Sequence, residues 1–152
     1  MKKNLVTISA IMLATLLTLT TSLAAAAPAT TIELLNPPPD ILNLAVGESY
    51  TMDIEVTSDE EFILALALTS AYYPGRGFFE YGNDQATHAT SAVLHLTIEG
   101  KDSTASLPAV YDWPSPGINW PAGVAPISAV VGVRYKNNQV ITKQFNFAVA
   151  VP

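Results

Sequence analysis

The sequence predicts an all-β fold, two antiparallel sheets packed as a sandwich behind a cleavable leader, and three observations carry that expectation. From Gly47 onward apolar and polar residues alternate with a period of two, the period of a strand. Eleven prolines, eight glycines and many β-branched residues leave no segment outside the leader with apolar positions sustained at three- and four-residue spacing. The alternating runs are short, are separated by turn chemistry and fit within one ordinary domain, which favours a sandwich over an α/β fold.

The elements follow in order. Thr30 to Leu35 reads as a strand with Ile32 and Leu34 on one face. Pro37-Pro38-Pro39 breaks it, and Ile41, Leu42, Leu44 and Val46 lead into a turn at Val46-Gly47-Glu48. A first strand split by a proline kink changes sheets. In Tyr50 to Thr57 every even position is apolar or aromatic and every odd one polar, the pattern of a strand with one wet face. Asp59-Glu60-Glu61 reads as a turn, and Phe62 to Leu68, apolar at Phe62, Leu64, Leu66 and Leu68 with Ile63, Ala65 and Ala67 between, reads as a central strand covered on both faces.

Ala92, Leu94, Leu96 and Ile98 define the next strand, and Gly100-Lys101-Asp102 predicts a hairpin turn into Ser103 to Leu107. Ile127 to Lys136 and Val140 to Val151 form the last hairpin. A two-residue loop there splits the apolar set between faces, so a three-residue loop is expected, pairing Tyr135 with Ile141, Val131 with Phe145, Ala129 with Phe147 and Ile127 with Val149. The expected core holds Met52, Ile54, Leu64, Leu66, Leu94, Leu96, Val131, Val133 and Phe145.

Before these strands, Met1-Lys2-Lys3-Asn4 precedes an apolar run from Leu5 to Leu23, diluted only by Thr and Ser, and then Ala24 to Ala27. That order predicts a secretory signal peptide over residues 1–27, with no basic stop signal after it and no membrane span left once it is cut. Residues 28–152 then form a single domain, with 28–39 its first strand and proline kink. Losing Lys2 and Lys3 leaves five basic residues against thirteen acids, so the net charge moves from −6 to 5 − 13 = −8. Such a domain repels phosphate backbones and anionic lipid, so nucleic acid is not an expected partner. Cysteine is absent from the sequence, which excludes disulfides, thiol catalysis and a lipid-anchored cysteine. The expected location is extracytoplasmic, at a cell surface or in a periplasm.

Two stretches carry a resemblance. Ala45-Val46-Gly47-Glu48-Ser49-Tyr50-Thr51-Met52-Asp53-Ile54-Glu55-Val56-Thr57 is similar to the start of many bacterial immunoglobulin-like domains, and Val131-Gly132-Val133-Arg134-Tyr135-Lys136-Asn137-Asn138-Gln139-Val140-Ile141 resembles their last hairpin. The resemblance implies an immunoglobulin-like β-sandwich with an adhesive or structural role at the cell envelope, including self-assembly into a surface structure. The Cys, Trp, Cys core of the antibody type is missing.

Candidate chemistry is sparse. His88 and His95 lie in no Ser-His-Asp order and have no zinc spacing, so neither catalysis nor a cofactor is expected. The acids at Asp59-Glu60-Glu61 and at Glu80 and Asp84 lack the one-three-five spacing of a calcium loop. The unusual feature is aromatic. Tyr72, Tyr73, Phe78, Phe79, Tyr81, Tyr111, Trp113 and Trp120 are eight of the thirteen aromatic residues, and they fall in two connections, 72–81 and 111–121. Flat rings beside Asp and Asn suit a protein partner or, as the alternative, the sugar rings of a carbohydrate. The competing expectation is that both loops fold over the ends of the sandwich and spend the rings on a small core of their own.

Overall fold

The computed structural model describes residues 26–152, so the predicted leader lies almost wholly outside the described residues. Among them the chain forms strands and no helix: β1 (Thr30–Leu34), β2 (Ile41–Asn43), β3 (Ser49–Ala71), β4 (Phe79–Tyr81), β5 (Asp84–Ala86), β6 (Ala89–Gly100), β7 (Val110–Tyr111), β8 (Asn119–Trp120), β9 (Ala125–Tyr135) and β10 (Val140–Ala150). The all-β expectation holds.

β3 organises the fold. Its first half pairs antiparallel with β1 on one side and β6 on the other. Its second half pairs antiparallel with β9 and β5. The hydrogen-bonded order is β2-β10-β9-β3-β6-β4, so β3 belongs to both layers. Buried side chains of the two halves and of β1, β6, β9 and β10 pack into one core, which makes the plan a β-sandwich.

The expected turn at Asp59-Glu60-Glu61 is not a turn. These residues continue β3, because the run from Tyr50 to Leu68 holds neither glycine nor proline and the chain absorbs the change of layer as register shifts instead. The shifts fall between Thr57 and Phe62 against β6 and between Phe62 and Leu64 against β9. They reverse the parity of burial. Met52, Ile54, Val56 and Phe62 point inward at even positions, and beyond the shift Ala65 and Ala67 are fully buried. The expected core members Leu64 and Leu66 are therefore only half-buried on the outer face, beside Leu68 at 38% exposure. Phe145, also assigned to the core, packs against it half-buried, whereas Met52, Ile54, Leu94, Leu96, Val131 and Val133 are buried as expected.

The proline kink does change sheets. β1 pairs with β3, and after Pro37-Pro38-Pro39 β2 pairs parallel with β10, Ile41 opposite Ala148. Ser103 to Leu107, by contrast, is no strand. Lys101 and Asp102 both donate their N–H groups to the Phe78 carbonyl, at 2.9 and 3.0 Å, and β6 finds its second partner in β4. Thr104 ties the following connection to the end of β10, donating to Gly123 O at 2.7 Å and accepting the Val151 N–H at 2.9 Å.

The last hairpin has a three-residue loop, but it is Lys136–Asn138. Tyr135 N–H donates to Gln139 O and Asn138 N–H to Tyr135 O, both at 3.0 Å, with Asn138 in the left-handed region at φ 63. That is a turn closed by a left-handed residue, a role asparagine fills readily. The pairing slides by two residues from expectation, to Val133 with Ile141, Ala129 with Phe145, Ile127 with Phe147 and Ala125 with Val149. A slip of two preserves the face of every side chain. At the other end of the sandwich a Cβ on Gly100 would lie 2.5 Å from the Ala45 carbonyl oxygen, so only glycine lets the β2–β3 connection close over β6.

Candidate functional site

The two aromatic connections meet at one end of the molecule. Tyr72 leaves β3 with its N–H donated to Pro126 O at 3.1 Å, which fixes the start of the first loop against β9. Its ring stands edge-on to Tyr73, centroids 4.5 Å apart at 86°, and to Trp113 of the second loop, 5.7 Å at 66°. Tyr73 continues the series to Phe78 at 6.4 Å and 90°. Each contact is of the edge type that quadrupoles favour.

The second loop is built from within. Asp112, at φ 58, donates its N–H to Ile118 O at 2.8 Å and accepts the Gly117 N–H on Oδ1 at 2.9 Å. Trp120 Nε1 donates to Trp113 O at 3.0 Å. Trp120 is buried with Val110, Val124 and Ala148, and Ile41, Tyr73, Trp113, Ile118 and Ala150 pack around them. The loop thus lays a second small core on the outer face of β10. Burial, and next the neighbouring Tyr72, pushes the Tyr73 hydroxyl above the ordinary tyrosine range, with Arg76 opposing.

The eight candidates therefore separate. Tyr72, Tyr73, Phe78, Trp113 and Trp120 come together, and of these Tyr72 is the one left exposed. Tyr111 stands 67% exposed on β7. Phe79 is buried in the main core, and Tyr81 lies on β4 at the sheet edge, tilted at 46° to Phe79. The expectation of a small loop core describes Trp120 and Trp113. Of the eight, Tyr72, Tyr111 and the separate Tyr81 are exposed, while Tyr73, Phe78 and Trp113 are half-buried.

The histidines sit in exposed pairs. His95 Nδ1 lies 2.7 Å from Asp53 Oδ1, and the His95 N–H donates to Asp84 Oδ2 at 2.8 Å. His88 Nδ1 lies 3.4 Å from Glu61 Oε1, and the His88 contact, followed by Lys136, holds the Glu61 carboxyl below its usual range. Among the described residues no three His, Cys, Asp or Glu side chains are grouped to hold a metal ion.

Two surface features escaped the sequence reading. One is the outer face of the β3–β9–β10 layer, where Leu64, Leu66 and Leu68 stand beside Val130, Gly132 and Arg134. The other is a partition of charge: residues 125–152 hold Arg134, Lys136 and Lys143 and no Asp or Glu, so all thirteen acids precede them.

No family model matches the chain, and no curated protein matches it. Solved structures resemble it at low identity. A chain of the human seminal-plasma complex of zinc 2-glycoprotein with prolactin inducible protein is 12% identical, with a TM-score of 0.45, over 85% of this chain and 99% of that one. Native alpha-2-macroglobulin from Escherichia coli is 16% identical, TM-score 0.41, over 82% of this chain and 17% of that one. A DUF4466 family protein from Parabacteroides merdae is 9% identical, TM-score 0.42, over 80% and 45%. This chain thus spans less than half the length of the second and third.

Proposed function

We propose that the chain is a secreted, non-enzymatic, immunoglobulin-like module with an adhesive or structural role at the cell envelope, engaging a protein partner through its aromatic end. The observation that carries the reading is the pair of exposed rings, Tyr72 and Tyr111, on loops held by Trp113, Trp120 and the Asp112 hydrogen bonds. A rigid loop presenting an amphipathic ring orders little on binding, so more of the contact energy is kept as affinity. The immunoglobulin-like part is supported by the first strand, which divides between layers and returns parallel to the last strand. Export is supported by the sequence of residues 1–27.

The carbohydrate reading of the same loops draws less support. Sugar platforms use flat ring faces, and the rings here meet edge-on at 66° to 90° with Trp120 buried. The test is cell fractionation of the host together with adhesion of purified protein to host cells and to immobilised polysaccharide, for the wild type and for Tyr72→Ser with Tyr111→Ser. The reading expects extracytoplasmic protein, binding to cells lost in the double variant, and an unchanged circular dichroism spectrum. Retention on polysaccharide alone would replace it with the carbohydrate reading, and a cytoplasmic protein would remove it.

A further inference from the structure

Over Val140–Asn146 β10 has a hydrogen-bonding side that no strand among the described residues covers. The bond from Tyr135 N–H to Gln139 O sets the phase of the β9–β10 ladder, so odd-numbered residues of β10 turn their backbone groups toward β9 and even-numbered ones turn theirs away. Ala148 N–H is taken by Asp40 O at 2.8 Å, and Ala150 O accepts Leu44 N–H at 2.9 Å. β2 pairs with Ala148–Ala150 alone. At Val140, Thr142, Gln144 and Asn146 no strand among the described residues lies on that side.

The proline kink keeps it so. Extending β2 in its register, Ile41 opposite Ala148, would lay Pro39, Pro38 and Pro37 along Asn146, Phe145 and Gln144. These residues have no N–H to give, and the chain departs to β3 instead. The edges of β6 and β1 are blunted, and the terminal strands β2 and β4 are three residues long. On β6 the Asp84 carboxylate takes the His95 N–H, and Gly82 N–H occupies Thr97 O at 3.2 Å. On β1 the Ile32 carbonyl accepts Lys143 Nζ at 2.6 Å. Val140-Ile141-Thr142-Lys143-Gln144-Phe145-Asn146 carries no proline, glycine or acid, and its one charged side chain, Lys143, is drawn to the Ile32 carbonyl rather than standing free along the edge.

We infer that this edge joins two copies of the chain, β10 against β10, antiparallel about a two-fold axis. The inference rests on the structural-module reading above and narrows it to self-association. Charge accommodates a second copy: β9 and β10 hold no carboxylate, so pairing them keeps the acid-rich parts of two anionic domains away from the contact, and the one cation of the edge segment, Lys143, is held by its own chain's Ile32 carbonyl and Phe145 ring, with salt screening the repulsion between the two Lys143 side chains. The side chains are also complementary to themselves. With Gln144 facing Gln144 of the second copy, Thr142 faces Asn146 and Lys143 faces the Phe145 ring, a cation-over-ring contact that Lys143 and Phe145 already make within the chain at 5.2 Å. A two-fold contact closes on itself, and main-chain hydrogen bonds supply its affinity.

The experiment is sedimentation velocity on the wild type, Thr142→Pro, Gln144→Glu and Gln144→Lys. The Thr142 N–H points away from β9, so proline there removes a donor of the free edge and leaves the hairpin ladder intact. The expected result is a dimeric wild type and three monomeric variants of unchanged circular dichroism. Mixing Gln144→Glu with Gln144→Lys should restore a one-to-one dimer, seen by native mass spectrometry. A wild type still monomeric at about 1 mM overturns the inference, as do variants that dimerise like the wild type or a mixture that stays monomeric. A monomer that still binds cells through Tyr72 and Tyr111 removes the dimer and leaves the module reading standing; a dimer that binds no cells does the reverse.

Discussion

The reversal of burial parity along β3 makes Ala67 and Leu68 a discriminating pair. Ala67 is fully buried opposite Val131, and Leu68 is 38% exposed opposite Val130. Placing an aspartate at 67 forces either an unpaired carboxylate into the core or its protonation. A fully buried acid has its pKa raised by some 3–5 units, so at pH 7 it is largely protonated and the penalty is set by the roughly 3 units between the ordinary aspartate value and pH 7, about 4 kcal/mol at 1.36 kcal/mol per unit. The larger side chain adds about 1–3 kcal/mol of overpacking, so against the roughly 5–15 kcal/mol of net stability of a domain this size Ala67→Asp removes from a third to all of it. Leu68→Asp loses only the buried part of a leucine; with full burial worth about 1.5–3 kcal/mol, the buried 62% left by its 38% exposure comes to about 1–2 kcal/mol. The assay is thermal unfolding by circular dichroism at pH 7, where each kcal/mol moves the midpoint by about 3–6 °C. Ala67→Asp should be unfolded or melt far below the wild type, and Leu68→Asp should melt within about 12 °C of it. If the two variants behave the other way round, as the uninterrupted even-numbered pattern of the sequence would have it, the register shift near Phe62 is wrong.

Three further pairs of outcomes are expected. Gly100→Ala should destabilise by about 1–3 kcal/mol in denaturant titration, because its Cβ meets the Ala45 carbonyl at 2.5 Å. Gly132→Ala, where the nearest atom is Thr142 Cγ2 at 4.0 Å, should be neutral or stabilising. Trp120→Ala should cost about 3–5 kcal/mol as loop core, and Tyr111→Ala, at 67% exposure, under about 0.5. In an NMR titration Glu80 should lose its charge below the usual carboxylate range, since Lys101 Nζ lies 2.7 Å from its Oε1. That depressed value means the pair's contribution is present above the ordinary carboxylate range and is lost as pH falls through the folded-state value. Lys101→Met should return Glu80 to ordinary titration.

What the sequence made legible was local. Alternation from Tyr50 to Val56 and from Ala92 to Ile98 located the inward faces correctly, because each run lies within one regular strand. The same rule failed past Thr57, where a register shift changes parity and leaves no glycine or proline to mark it. The last hairpin was right in loop length and in face but two residues out in pairing, since the left-handed position falls on Asn138, one of two adjacent asparagines with the same local chemistry. β4, β5, β7 and β8 are two or three residues long and exist through their partners, so no pattern announces them. The aromatic loops were visible as composition. Which rings face solvent was not, because that depends on where the second loop lands on β10.

The unbroken run of β3 bears on how the molecule opens. Layers linked by a loop can detach with the loop as hinge, but here the same backbone carries hydrogen bonds to β1 and β6 in one layer and to β9 and β5 in the other. Fraying either layer strips partners from the strand that anchors its neighbour. Amide exchange should therefore show Met52, Ile54, Ala65 and Ala67 protected to a common level set by global unfolding, with the β7–β8 hairpin, tied to a smaller core, exchanging earlier and alone.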